Sequence, residues 1–105
     1  MAGQISLQRL IESARGHTFD KMVVTGYTDP IGDAAYNDDL SRRRAKAVAD
    51  YLAQNGLVVP DVQVVGAGSS SPVVNPAECA GKTGADQQAC YARDRRVTIV
   101  LTPHN

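Results

Sequence analysis

The chain has 105 residues, 43% hydrophobic and 21% charged, with 11 basic residues against 11 acidic ones. That length and balance fit a single domain, residues 1–105, which buries enough surface to fold without a metal, and they exclude an electrostatic case for a nucleic-acid or acidic-membrane binder. No stretch approaches the roughly 18 apolar residues of a membrane span, and the opening MAGQISLQRLIESARG is amphipathic without the layout of a secretory signal, so the protein is expected to lack one or to begin upstream of Met1.

Leu7, Leu10, Ile11 and Ala14 fall at i, i+3, i+4 and i+7, one apolar helix face that ends at Gly16. Residues 21–27 (KMVVTGY) form a β-branched run closed by a glycine and read as a buried strand. Residues 28–32 (TDPIG) carry turn chemistry. A long helix is expected over residues 36–55, with Leu40, Ala47, Val48, Tyr51 and Leu52 inward, Asn37 or Asp33 as its cap, and Gly56 just past its end. Residues 62–65 (VQVV) read as a second strand and residues 66–84, rich in Gly, Ser and Pro, as a loop. Residues 96–102 (RVTIVLT) alternate at first, as an edge or half-buried strand does. Two strands separated by a helix predict a parallel pair with a right-handed crossover.

The chain has two cysteines, Cys79 and Cys90. Their spacing is too long for a redox CxxC motif, and two thiols alone make no zinc site. They read as a disulfide closing a surface loop, which implies an oxidising compartment; two unrelated free thiols are the alternative. Closing so short a loop is worth on the order of 3 kcal/mol.

The stretch richest in chemistry is residues 26–50, GYTDPIGDAAYNDDLSRRRAKAVAD, where a strand ends and a helix begins. Open α/β sheets place ligands beyond the carboxyl ends of their strands. Asp29 lies in that loop, and Arg44 lies in the helix one turn after Leu40. A charge on the inner face needs a partner, and Asp29 is the candidate, or a ligand that uses both. Other patterns carry less. Arg42 and Arg43 point away from Arg44 around the helix and read as a solvated face. Gly66-x-Gly68 lacks the third glycine and following helix of a nucleotide loop. His17, His104 and the four tyrosines form no nucleophilic set or stacking platform that spacing supports.

The spaced pattern T-D-x-x-G-x(4)-N-x-x-L-S-x-x-R-A-x-x-V occurs here as Thr28, Asp29, Gly32, Asn37, Leu40, Ser41, Arg44, Ala45 and Val48. G-x-G-x-x-x-P follows at Gly66, Gly68 and Pro72, and R-R-V at Arg95, Arg96 and Val97. From about residue 5 to 102 the chain resembles the OmpA-like peptidoglycan-binding family, shared with Pal-type lipoproteins and flagellar stator proteins. The cysteine pair before R-R-V is similar to that of the outer-membrane branch. The resemblance therefore implies the C-terminal periplasmic domain of an OmpA-type outer-membrane protein of Gram-negative bacteria.

The implied fold is α/β, an α+β two-layer sandwich of order β-α-β-α-β-β, with a mixed sheet and helices on one face. The family's first strand has no counterpart before the opening helix, so residues 96–102 are expected to expose an edge that pairs with a second copy, unless the native chain starts earlier. The implied ligand is peptidoglycan, gripped through the diaminopimelate residue of its stem peptide. Asp29 would hold the ammonium and Arg44 the carboxylate, with Thr28 and Asn37 ordering the loop or bonding the peptide backbone, Leu40 as an apolar wall and Arg95, or Arg96, reaching in from the last strand. Asp94 stands where the family often has Asn, adding a negative charge beside Arg95.

The implied role is a non-catalytic tether of the outer membrane to the cell wall, with no cofactor, metal, nucleic acid or direct membrane insertion. An enzyme is not indicated, since one carboxylate and one guanidinium make no nucleophile–base pair. The alternative is a protein–protein or dimerisation module in which Asp29 and Arg44 are structural.

Overall fold

The computed structural model describes residues 2–70 and 73–104, apart from the side chains of residues 2–6 and 76. Pro72, the last position of the G-x-G-x-x-x-P pattern, lies outside the described residues. Helix α1 spans Ala2–Ala14 and places Ile11 and Ala14 in the core, with Leu7 and Leu10 packed against it. Strand β1 spans Phe19–Tyr27, two residues longer at its start than the β-branched run. Its burial alternates, with Met22 and Val24 inward and Val23 and Thr25 half-buried on the other face.

Helix α2 spans Ala34–Gln54. Of the two candidate caps, Asp33 is the one used. Its side chain accepts from the Tyr36 N–H at 3.0 Å, satisfying a donor that has no partner within the helix. At the far end Leu57 N–H donates to the Leu52 carbonyl at 3.0 Å and Gly56 N–H to that of Ala53 at 3.2 Å. This is the paired closure that ends a helix on a left-handed residue, here Gly56 at φ +95°.

The buried stripe of α2 differs from the expected one. It runs through Asn37, Ser41, Ala45, Ala49 and Leu52, while Leu40, Val48 and Tyr51 are half-buried on its flank and Ala47 is exposed. The cause is close packing of the helix on the sheet. A methyl group at Gly26 would overlap the Ser41 carbonyl, and one at Gly66 would overlap the Asp38 carbonyl and the Arg42 stem. Only small residues fit the stripe nearest the sheet, so the larger apolar side chains pack beside it.

Strand β2 spans Asp61–Gly66 and strand β3 spans Arg96–Pro103. The sheet order is β2-β1-β3. β2 runs parallel to β1, with Val24 opposite Val64, and β3 runs antiparallel, with Val24 opposite Ile99. The sheet is thus open and mixed, and α1 and α2 share one core with its Met22–Val24 face.

The region between β2 and β3 holds more structure than the expected loop. A 3₁₀ turn spans Pro76–Cys79, helix α3 spans Gly84–Cys90, and a second 3₁₀ turn spans Ala92–Asp94. Cys79 and Cys90 form a disulfide. Val74, Cys79 and Tyr91 make a small cluster of their own.

Candidate functional site

β1 ends at Tyr27, and the chain turns through Thr28–Asp29–Pro30 before entering α2. Two bonds lock the start of this turn to the end of β2, and a third ties the same stretch to α2. Ala67 N–H donates to the Gly26 carbonyl at 3.0 Å, Thr28 N–H to the Gly68 carbonyl at 2.8 Å, and Gly68 N–H to the Ser41 hydroxyl at 3.0 Å. Asn37, buried on α2, spans the loop from the other side. Its Nδ2 donates to the Ile31 carbonyl at 3.0 Å and to that of Asp29 at 3.4 Å. The Asp29 carboxylate closes the turn by accepting from Ile31 N–H at 3.1 Å.

The loop, α2, α3 and the residue just before β3 border an open cleft of ≈ 370 Å³ lined by Thr28, Asp29, Ile31, Asn37, Leu40, Arg44, Gln88 and Arg95. All six positions singled out in the sequence therefore meet here. Asn37, Leu40 and Arg44 are spaced i, i+3 and i+7, so α2 presents them on one face. Gln88 and Ile31 are additional lining residues. The spaced motif placed no weight on Ile31, and Gln88 belongs to a helix without a sequence signal.

The ion pair in the cleft differs from the expected one. Asp29 Oδ2 accepts from Arg95 Nη1 at 2.8 Å, with the Asp29 side chain 14% exposed and that of Arg95 33%. Arg95 Nη2 donates to the Gln88 carbonyl at 3.0 Å, which fixes the plane of the guanidinium. Arg44 is exposed, and among the described residues it has no hydrogen-bond or ion-pair partner. It sits on the flank of α2 rather than on the buried stripe, so solvent meets the demand that burial would have placed on Asp29. Its neighbour Arg43 pairs with Asp39 at 2.8 Å on the exposed face. Thr28 is 5% exposed, and its hydroxyl has no hydrogen-bond partner among the described residues.

Arg95 is set from below by Asp94. That side chain is fully buried, and its Oδ1 accepts from the Val73 and Val74 N–H groups at 2.7 and 3.0 Å. The charge beside Arg95 therefore faces the loop and not the cleft. Arg96 turns to the opposite side of the strand, 3.8 Å from the centroid of the Tyr27 ring.

The cleft thus offers one carboxylate with spare acceptor capacity, two guanidiniums and two apolar walls, Leu40 and Ile31. This set has the chemistry to pair with a ligand that carries both a positive and a negative charge. Among the described residues no group of three or more His, Cys, Asp or Glu side chains is placed to hold a metal ion.

The chain matches the OmpA family over residues 2–84, a span that includes Thr28, Asp29, Asn37, Leu40 and Arg44. Outer membrane protein A of Escherichia fergusonii is 45% identical over 78 residues, which cover 74% of this chain and 32% of that protein. The Klebsiella pneumoniae protein of the same name is 44% identical over 77 residues, 73% of this chain and 22% of that protein. The chain therefore spans about a third or less of the length of these relatives. Among solved structures, the cell wall anchor of the T6SS from Pseudomonas aeruginosa superposes with a TM-score of 0.63 at 30% identity, covering 96% of this chain and 66% of that one. The peptidoglycan-associated lipoprotein from Burkholderia pseudomallei gives a TM-score of 0.59 at 25% identity, covering 96% and 73%.

Proposed function

Because the chain belongs to the OmpA family, we propose that it is a non-catalytic module that binds cell-wall peptidoglycan through the diaminopimelate residue of the stem peptide, on the periplasmic side of the outer membrane. In this role it tethers that membrane to the wall. The observation that carries the reading is the cleft itself, which an exposed Arg44, unpartnered among the described residues, lines together with the Asp29 carboxylate. The free end of diaminopimelate bears an ammonium and a carboxylate. Asp29 has lone pairs left after Ile31 and Arg95 and takes the ammonium. Arg44 offers its full fork to the carboxylate, a bidentate contact that Lys cannot reproduce. Leu40 supplies an apolar wall, and Thr28, with its hydroxyl buried, lines the cleft. A ligand lacking either charge leaves one of these groups unmatched. Similarity to a cell wall anchor and to a peptidoglycan-associated lipoprotein supports the same class of partner.

The test is calorimetric titration with a meso-diaminopimelate stem peptide. Wild type binds saturably, and Asp29→Ala and Arg44→Ala each weaken binding at least about tenfold, the scale of a charge-assisted contact. Arg44→Lys weakens it as well. Equal binding by wild type and both alanine variants would sink the proposal.

A second reading is a dimerisation module with a structural Asp29. It is favoured by the Asp29–Arg95 pair, which already satisfies part of the carboxylate, and by β3, which pairs only with β1 among the described residues. On that reading the stem peptide does not bind and the chain self-associates.

A further inference from the structure

α3 is seven residues long, buries no side chain, and begins at Thr83 without a side-chain cap bond. A helix so short does not hold itself together in water. Its anchor is at its end, where Cys90 is bonded to Cys79 and Tyr91 enters the small cluster with Val74 and Cys79. Two residues before Cys90, the Gln88 carbonyl accepts from Arg95 Nη2 at 3.0 Å. The other arm of the same guanidinium, Nη1, donates to Asp29 at 2.8 Å. Two hydrogen bonds therefore join the disulfide-anchored helix to the carboxylate of the cleft.

We infer that the Cys79–Cys90 loop is a positioning element of the cleft: through the Gln88 carbonyl it aims Arg95 at Asp29, so that full ligand affinity requires the closed disulfide. The inference rests on the ligand reading above. The backbone of Arg95 has its own anchor, since the buried Asp94 ties the preceding turn to Val73 and Val74. Opening the loop thus leaves residue 95 in place and frees only its guanidinium. A freed guanidinium regains rotamer freedom and no longer holds the carboxylate in one orientation, so binding must order both again. The opening step is exchange with a dithiol. The S–S bond breaks, two electrons and two protons convert Cys79 and Cys90 to thiols, and the dithiol is oxidised to its own disulfide.

The test uses the full chain, oxidised and dithiol-reduced, beside a Cys79→Ser/Cys90→Ser variant. Each is titrated with the diaminopimelate stem peptide, and the side-chain ¹⁵N resonances of Arg95 and Arg44 are followed without ligand. Reduction and the double substitution should both weaken binding by about tenfold, the scale of one hydrogen bond to a charged group. The Arg95 resonance should shift on reduction while that of Arg44 stays. In Arg95→Gln the two redox forms should bind alike, because the path is already cut. Equal affinity of the oxidised and reduced wild type overturns the inference. So does an equally large redox effect in Arg95→Gln, since the bond would then act through general stability. Loss of the sheet signal in circular dichroism on reduction overturns it too, by making the bond a requirement of the fold. If no form binds the peptide, the ligand reading fails, and the Arg95 resonance still decides: a shift on reduction upholds the positioning, and no shift overturns it.

Discussion

Ser41 is fully buried on the sheet-facing stripe of α2, and its hydroxyl both donates to the Asp38 carbonyl at 2.8 Å and accepts from the Gly68 N–H at 3.0 Å. It thereby joins the helix that carries Arg44 to the loop that follows β2. Ser41→Ala leaves the buried Gly68 N–H without an acceptor, at a cost of about 1–3 kcal/mol. For a domain of this size that lowers the midpoint by roughly 4–8 °C per kcal/mol, read by thermal unfolding. An unchanged midpoint would mean that another acceptor reaches Gly68. The serine of the motif was legible in the sequence, but its partner was not. Residues 41 and 68 are 27 apart, and no local pattern encodes that pairing. The same holds for Arg95, which is 66 residues from Asp29. Sequence reasoning placed both arginines in the site but paired Asp29 with Arg44 on the nearer helix, and the fold pairs it with Arg95, just before β3.

Elements with a period and a cap were readable. α1 ends where its apolar spacing ends, and α2 runs between Asp33 and Gly56, both marked by residue type. Asp33→Ala removes the acceptor for Tyr36 N–H and should cost about 0.5–2 kcal/mol, with the loss visible as a lower denaturation midpoint and an unchanged m-value. A midpoint equal to wild type would show that the first turn is satisfied by water. α3 was not readable. Seven residues give too few turns for a hydrophobic period, none of its side chains is buried, and its anchor is a covalent bond at its last residue. The 3₁₀ turn over Pro76–Cys79 is likewise held by one side chain, with Asn75 Oδ1 accepting from Ala77 N–H at 3.0 Å.

At the scale of the molecule, a three-stranded open sheet has two edges, and β2 and β3 are those edges. On β3 the outward Val100 is 61% exposed. An edge that is neither charged nor covered invites pairing with another chain. On the second reading above, sedimentation should show a concentration-dependent dimer that Val100→Lys weakens. A chain monomeric at high concentration would rule that association out. The sequence by itself determined the alternation of α1, β1, α2, β2 and β3, the parallel β1–β2 pair, and six of the eight residues that line the cleft. These rest on local periodicity, caps and a spaced motif in which Asn37, Leu40 and Arg44 share one helix face. The tertiary structure decided which stripe of α2 meets the sheet, which arginine holds Asp29, and that a disulfide-anchored helix borders the cleft. The first depends on how closely α2 approaches the sheet, a distance fixed by Gly26, Gly66 and the small residues opposite them, and the other two depend on contacts between residues distant in sequence that no local preference encodes.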